Sequence, residues 1–300
     1  MAEINFQTLK AGVEAGDIVP YLGAGALNGS SHFDTGDPIP ADSDSLIHAM
    51  NNGKPMAPRL MYEFARAAMD VELKRGRSAV NRFLDNLYGE QRWTQSPLHA
   101  WLAGIKPPYV IDINRDTQLQ ESYSATAHTL IRGIARVGGT DYRFRIHHYD
   151  GEKYSEKEID QAEFDPALPI LFKPMGSPLP DSTYIASDAD YVDYITELMG
   201  GFAIPTFLKS YRKGKQYLFL GLRMNRDTER MVLSDIIYAA GGGPAAWALI
   251  PNPNDKERRF CKKMNIEIIE ADIEDLLNET DSPPQAPISD AIASVEDVGC

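Results

Sequence analysis

The residues with chemical potential cluster after four apolar runs. Gly23-Ala24-Gly25 follows Ile18-Val-Pro-Tyr-Leu22. Glycines in such a turn let backbone amides approach a phosphate or pyrophosphate. The turn is not a Rossmann fingerprint, since position 28 is Asn and no helix is expected at once, and no Gly-Lys-Ser/Thr follows to make a Walker loop. By itself it reads as a structural turn before it reads as a phosphate site. Asn114 and Asp116 follow Tyr109-Val-Ile-Asp-Ile113: a carboxamide and a carboxylate able to orient water and a polar ligand, or an Asx turn capping a helix from Thr117. Gly176 follows Ile170-Leu-Phe-Lys173, and Gly221, Asn225 and Asp227 follow Gln216-Tyr-Leu-Phe-Leu220.

The other reactive side chains are scattered. His147 and His148 end an alternating run, one inward and one outward on a strand, while His32 and His48 flank the segment after the glycine turn. His99 and His128 read as ordinary helix or loop residues. With no His-x-x-x-His, no Cys-x-x-Cys and no carboxylate triad of loop geometry, no metal site is expected. The two cysteines, Cys261 and Cys300, cannot form a four-cysteine zinc site, and Cys261 reads as a half-buried helix residue.

Four strand-end signals need one sheet to bring them together. The pattern predicts a helix over 6–16 and strands over 17–22, 108–113, 142–149, 169–173, 216–221, 245–250 and 266–270. Helices are expected over 97–105, 187–199 (Ser187 as N-cap), 205–213, 227–240 and 255–264. Strands alternating with helices imply a doubly wound, mostly parallel α/β sheet, whose ligands bind beyond the strands' carboxyl ends where the strand order reverses. Residues 28–44, rich in Gly, Ser, Asp and Pro, read as a long binding loop or lid. Amphipathic helices over 58–75 and 78–88 read as part of a small helical insert of about 56–105.

Composition narrows the function classes. Hydrophobic residues make up 43% of the 300, enough for one large domain, expected over 1–277. Net charge is −13, and from Asn265 onward there are ten acidic residues and no basic one. The remainder is nearly balanced, so no basic footprint for nucleic acid exists. Residues 278–300 are acidic, contain proline and read as a disordered tail. The apolar runs are too short to span a bilayer and the opening residues lack a signal-peptide core, so no membrane association and a cytoplasmic location are expected.

Taken together, these motifs resemble a family. VPYLGAGAL (Val19 to Leu27) resembles the glycine motif of sirtuins and of the sirtuin-like NAD-consuming domains found in bacterial phage-defence proteins. Gly36 to Leu46 has the shape of the family's Gly-x-Pro loop, and Asn114-Arg115-Asp116 matches its Asn-x-Asp. Leu171 to Ile195 resembles the bacterial branch's Lys-Leu-His-Gly and acid-rich helix, and Tyr217 to Leu233 its Leu-Gly-x-x-x-x-Asp segment. The matches are collinear from about residue 17 to 275. They imply a sirtuin-like Rossmann variant without the zinc module. They also imply NAD or a derivative such as ADP-ribose as ligand, with Gly23, Ala24 and Gly25 at the diphosphate and Gly176 nearby. Asn114 would hold the nicotinamide-side ribose or an attacking water, and Asp116 would contact the nicotinamide amide. Gly221, Asn225 and Asp227 would lie along the adenosine side, with Asp272 near the adenine.

One departure matters for chemistry. Met175 stands where the resemblance puts the catalytic His, and a thioether cannot exchange a proton. A second alignment sets His148-Tyr-Asp-Gly151 against the family's His-Gly and makes His148 the substitute. Three functions follow: an NAD glycohydrolase with an altered site; an inactive NAD or ADP-ribose sensor signalling through an oligomer or partner protein; and, least supported without zinc cysteines, a protein deacylase.

Overall fold

Alternation within the apolar runs decides the architecture. Val19 and Tyr21 of one strand, Tyr217 and Phe219 of another, and Ile170 and Phe172 of a third join one buried cluster. Their neighbours Ile18 and Leu22, Leu218 and Leu220, and Leu171 join a second cluster on the opposite face. With period-2 side chains apolar on both faces, such strands must be covered by helices on both sides. A computed structural model of the chain describes residues 5–237 and 246–278 and has this form.

The elements run α1 (Phe6–Ala15), β1 (Ile18–Leu22), α2 (Ser43–Met50), α3 (Phe64–Arg75), α4 (Arg77–Asp85), α5 (Pro97–Ile105), β2 (Tyr109–Asp112) and α6 (Gln118–Ser122). They continue with β3 (His128–Gly133), β4 (Phe144–Tyr149), β5 (Ile170–Lys173), β6 (Gly176–Ser177), β7 (Thr183–Tyr184), α7 (Asp188–Gly200) and α8 (Thr206–Tyr211). Last come β8 (Gln216–Leu220), α9 (Asp227–Ile237), β9 (Ala246–Leu249), α10 (Asp255–Lys263), β10 (Ile266–Ile269) and α11 (Ile273–Asn278). The eight-stranded sheet has the order β10-β9-β8-β1-β2-β5-β3-β4, while β6 and β7 form a separate ribbon. Every pairing in the main sheet is parallel except β3 with β4. The fold is therefore the expected doubly wound, mostly parallel α/β sheet of Rossmann-like type.

Strand order reverses at β1. The chain leaves it for β2 on one side and returns to it through β8 on the other, with Leu22 paired to both Asp112 and Leu220. That is the crevice where such sheets bind ligands.

Several expectations change. Position 128 is not helix or loop: His128 opens β3, an interior strand that periodicity alone did not reveal. A single 3-10 turn, Ala24–Leu27, begins inside the glycine turn, with Gly23 at its N-cap position. The 58–75 helix begins only at Phe64, because Glu63 is extended and the Phe64 amide donates to Ser43 Oγ at 3.2 Å. Ser43 itself starts α2, a helix not anticipated, capped by Asp42, whose carboxylate accepts from the Asp44 and Ser45 amides. At α7 Ser187 holds the N-cap position, but the Asp190 carboxylate accepts the Ala186 and Ser187 amides. Residues 238–240 of the expected helix, the first residue of the 245–250 strand, and the tail beyond 278 lie outside the described residues.

The helices α2, α3 and α4 enclose a cluster of their own, with Leu46, Ile47, Phe64, Ala68, Val80 and Leu84, and this layer closes over the carboxyl end of β1 through Leu27 and Ile39.

His128 makes a pH prediction. Its Nδ1 donates to the Thr126 carbonyl (2.8 Å), so Nε2 carries no proton and accepts from Tyr154 O–H (2.9 Å). Burial pushes its pKa down to about 4, and that of His147 likewise. The unfolded chain takes up these protons near pH 6.5 and the fold only near 4, so stability present above about 6.5 is lost as pH falls through that window. Denaturant midpoints should drop from pH 7 to 4.5. The drop should be smaller in His128→Gln, and an equal drop would mean that the fold protonates His128 freely.

Candidate active site

Two glycine-bearing loops interlock at the switch point. The Gly23 amide donates to Leu220 O (2.9 Å) and the Gly25 amide to Gly221 O (2.8 Å). A Cβ at Gly23 would lie 2.6 Å from Leu222 Cα, and one at Gly25 would lie 2.8 Å from Gly221 Cα. Gly221 has φ +69°, and a Cβ there would meet the Ala26 nitrogen at 2.4 Å. These glycines thus serve the contact between backbones first, and two of their amides are already used.

Beyond this contact lies a cavity of about 450 Å3, within the range of small-molecule sites. Its wall includes residues 24–29 and, on the β8 side, Gly221, Arg223, Asn225, Arg226 and Glu229, with Asp272 beyond β10. Arg226 donates to the Tyr62 carbonyl, stacks over the Tyr62 ring at 5.5 Å and lies 3.7 Å from Asp44. A guanidinium held in this way offers a diphosphate one fixed cation. The Asp272 carboxylate accepts from the Asp275 amide at the start of α11.

A smaller, more polar cavity adjoins it. The two share Ala24, Ala41, Ser43 and Glu229, and the second adds Asn114, Arg115, Met175, Tyr88 and Tyr191. Asn114 is locked: its Nδ2 donates to Gly23 O and Asp112 Oδ1, both at 2.9 Å, and its amide donates to Asp112 Oδ1 at 2.9 Å. The carboxamide oxygen is then the end of Asn114 left to face a ligand. Arg115 donates to Ile185 O and Tyr191 Oη and lies 5.4 Å above the Phe64 ring. Burial raises the pKa of the Tyr88 and Tyr191 phenols, so both stay neutral.

Beneath Asn114 lies a buried charge pair. Lys173 Nζ donates to Asp112 Oδ2 at 2.5 Å, and both side chains are fully enclosed. Asp116 is also buried: Oδ1 accepts the Gln118 amide at 2.8 Å, the Asx cap of α6, while Oδ2 finds no protein partner. Burial raises the Asp116 pKa, opposed by the attraction of Lys173. His99, whose pKa burial lowers, has its Nδ1 2.8 Å from Ser96 Oγ and leaves Nε2 unpartnered.

Of the residues singled out in the sequence, Ala24, Gly25, Gly221, Asn225 and Asp272 line the first cavity, and Asn114, Met175 and again Ala24 the second. Gly23 shapes the loop contact just behind. Asp116 is buried and lines neither cavity, and Gly176 (φ +83°) serves the β6–β7 ribbon, where a Cβ would meet Thr183 O at 2.0 Å. Asp227 opens α9, and its side chain lies outside the described residues. His148 is not brought to the site. It pairs with Thr129 at the start of β3, the amino end of the parallel strands, on the antiparallel edge strand. Ser43, Arg115, Tyr191 and Glu229 were not singled out as site residues. Glu229 reads in sequence as one more acid in the first turn of a helix, and only the packing of α9 shows that it faces a cavity.

The charge pair yields a prediction. Lys173→Met would strand the Asp112 carboxylate without its cation, and breaking a buried pair in this way costs about 3–5 kcal/mol. Chemical denaturation should show that loss, and adding Asp112→Asn should recover part of it; a loss within experimental error would mean that the pair does not hold the site.

No curated protein matches the chain. A family model, that of the SIR2-like domain, matches residues 110–269, more than half of the chain. The matched span runs from β2 through β10 and takes in Asn114, Met175, Gly221 and Glu229. The residues present fit that family's NAD-related ligand: a glycine-built loop contact at the switch point, a fixed arginine on the cavity wall, and a locked carboxamide in the adjoining recess. With a doubly wound sheet and this match, the chain belongs to the SIR2-like domain family.

Proposed function

We propose that the chain hydrolyses the nicotinamide–ribose bond of NAD, as an NAD glycohydrolase-type domain with an altered catalytic site. The observation that carries this is the junction of the two cavities over the carboxyl end of β1, with Asn114 locked in the inner one. A dinucleotide with its diphosphate near residues 23–26 and Arg226 would send its adenosine toward Asn225 and Asp272. Its nicotinamide ribose would be directed at the mouth of the inner recess, which at about 50 Å3 holds water and admits the ring only if its walls part. There the Asn114 oxygen would accept a hydrogen bond from a ribose hydroxyl or from the attacking water, and fixing that geometry in advance lowers the barrier. Asp116, buried and lining neither cavity, would act on the ligand only through the residues around it.

A second function is favoured by Met175. Its buried thioether lines the inner recess where the resemblance puts a histidine, so a protein that binds NAD or ADP-ribose without turnover would suit a sensor.

Incubation with NAD, following nicotinamide release, separates the two. Hydrolysis predicts release that Asn114→Ala reduces ~100-fold or more, in the range of a lost positioning group. Calorimetric binding without release would support the sensor, and neither binding nor release would remove NAD from the protein's ligands. In the sensor case Met175→His should gain measurable release if residue 175 occupies the catalytic position; no gain would place that position elsewhere.

A further inference from the structure

We propose that Glu229 is the general base of this site, taking the proton from the water that attacks the ribose anomeric carbon; the proposal rests on the hydrolase function above. Four residues line both cavities, Ala24, Ala41, Ser43 and Glu229, and Glu229 alone among them titrates. It therefore stands where a nucleoside would pass from the outer cavity to the inner one. Elimination within the inner recess points the same way. Its lining side chains that can ionise are Tyr88, Arg115, Tyr191 and Glu229. The phenols are held neutral, and a guanidinium does not give up its proton near neutrality. No histidine lines either cavity among the described residues, and Met175 has no proton to exchange.

The surroundings tune the carboxylate to this task. Burial, with Glu63 and Asp42 nearby, raises its pKa to about 7, against the pull of Arg226 and Arg115. The Tyr191 and Tyr21 phenols also sense its charge. These groups come from the helical layer (Asp42, Glu63), the strand ends (Tyr21, Arg115), α7 (Tyr191) and the turn into α9 (Arg226). A base poised near neutrality is suited to proton transfer at physiological pH. In the reaction the water oxygen bonds to the anomeric carbon as the carbon–nitrogen bond to nicotinamide breaks. The bonding pair returns to the pyridinium nitrogen and neutralises it. One water proton passes to the Glu229 carboxylate and from there to solvent. The products are nicotinamide, ADP-ribose and one proton, so atoms and charge balance.

The test compares wild type, Glu229→Gln and Glu229→Ala for NAD binding by calorimetry and for nicotinamide release against pH. The expected result has Glu229→Gln folding with an unchanged melting profile and binding NAD within a few-fold of wild type. Its release should be at least ~100-fold slower, the contribution of a positioned base. Wild-type release should rise with pH through about 7, and that limb should vanish in the Gln variant. Added formate should restore release to Glu229→Ala, a rescue that a merely structural role would not show. Wild-type rates and an unchanged pH profile in Glu229→Gln would overturn the assignment while leaving the hydrolase function standing. Wild-type protein that binds NAD and releases no nicotinamide would overturn both.

Discussion

Two polypeptide backbones can approach as closely as the loops after β1 and β8 do only where side chains are missing. Gly23, Gly25 and Gly221 supply that absence on both sides of the contact, and the Gly25 amide donates to Gly221 O across it. This contact lies where the sheet's order reverses; Gly25 and Gly221 line the first cavity, and Ala24 between the glycines reaches both. Were the loops held farther apart by side chains, Asn114, whose carboxamide is tied to Gly23 O, would lose one of its two anchors.

Below the contact, charge takes over from sterics. Lys173 and Asp112 come from adjacent parallel strands and pair in a fully enclosed position. Isolated, either charge would be costly to bury; paired, with Asp112 also accepting from Asn114, they fasten the recess from beneath. The pair therefore links the sheet to the site: β2 supplies the anchor, the residues just after it the carboxamide, and β5 the cation. Met175, two residues after Lys173, reaches the recess on the same stretch of chain.

The helical layer of α2, α3 and α4 provides the opposite wall. Ser43 accepts the Phe64 amide and so caps α3 while lining both cavities. Phe64 in turn lies under the Arg115 guanidinium. Packing within this layer thus decides how the inner recess is walled and how its arginine is oriented.

Much of the fold was legible in the residues. Alternating apolar runs with helices between them set the doubly wound class, and the glycine, Asn and Asp residues after those runs marked the carboxyl ends where a ligand would sit. Those signals are local, since they depend on side-chain period and on which residues tolerate a tight turn. The strand at His128 was not legible, because its interior position comes from partners β5 and β4, distant in sequence. Nor was the fate of individual polar groups: Asp116 is buried and accepts the Gln118 amide at the start of α6, His148 lands at the amino end of the parallel strands, and Glu229 faces the cavities from α9. The sequence by itself determined the class of the sheet and the glycine turns at the ends of its strands. Tertiary packing decided which carboxylate meets the site, because burial and charge neighbours come from segments the local pattern cannot bring together.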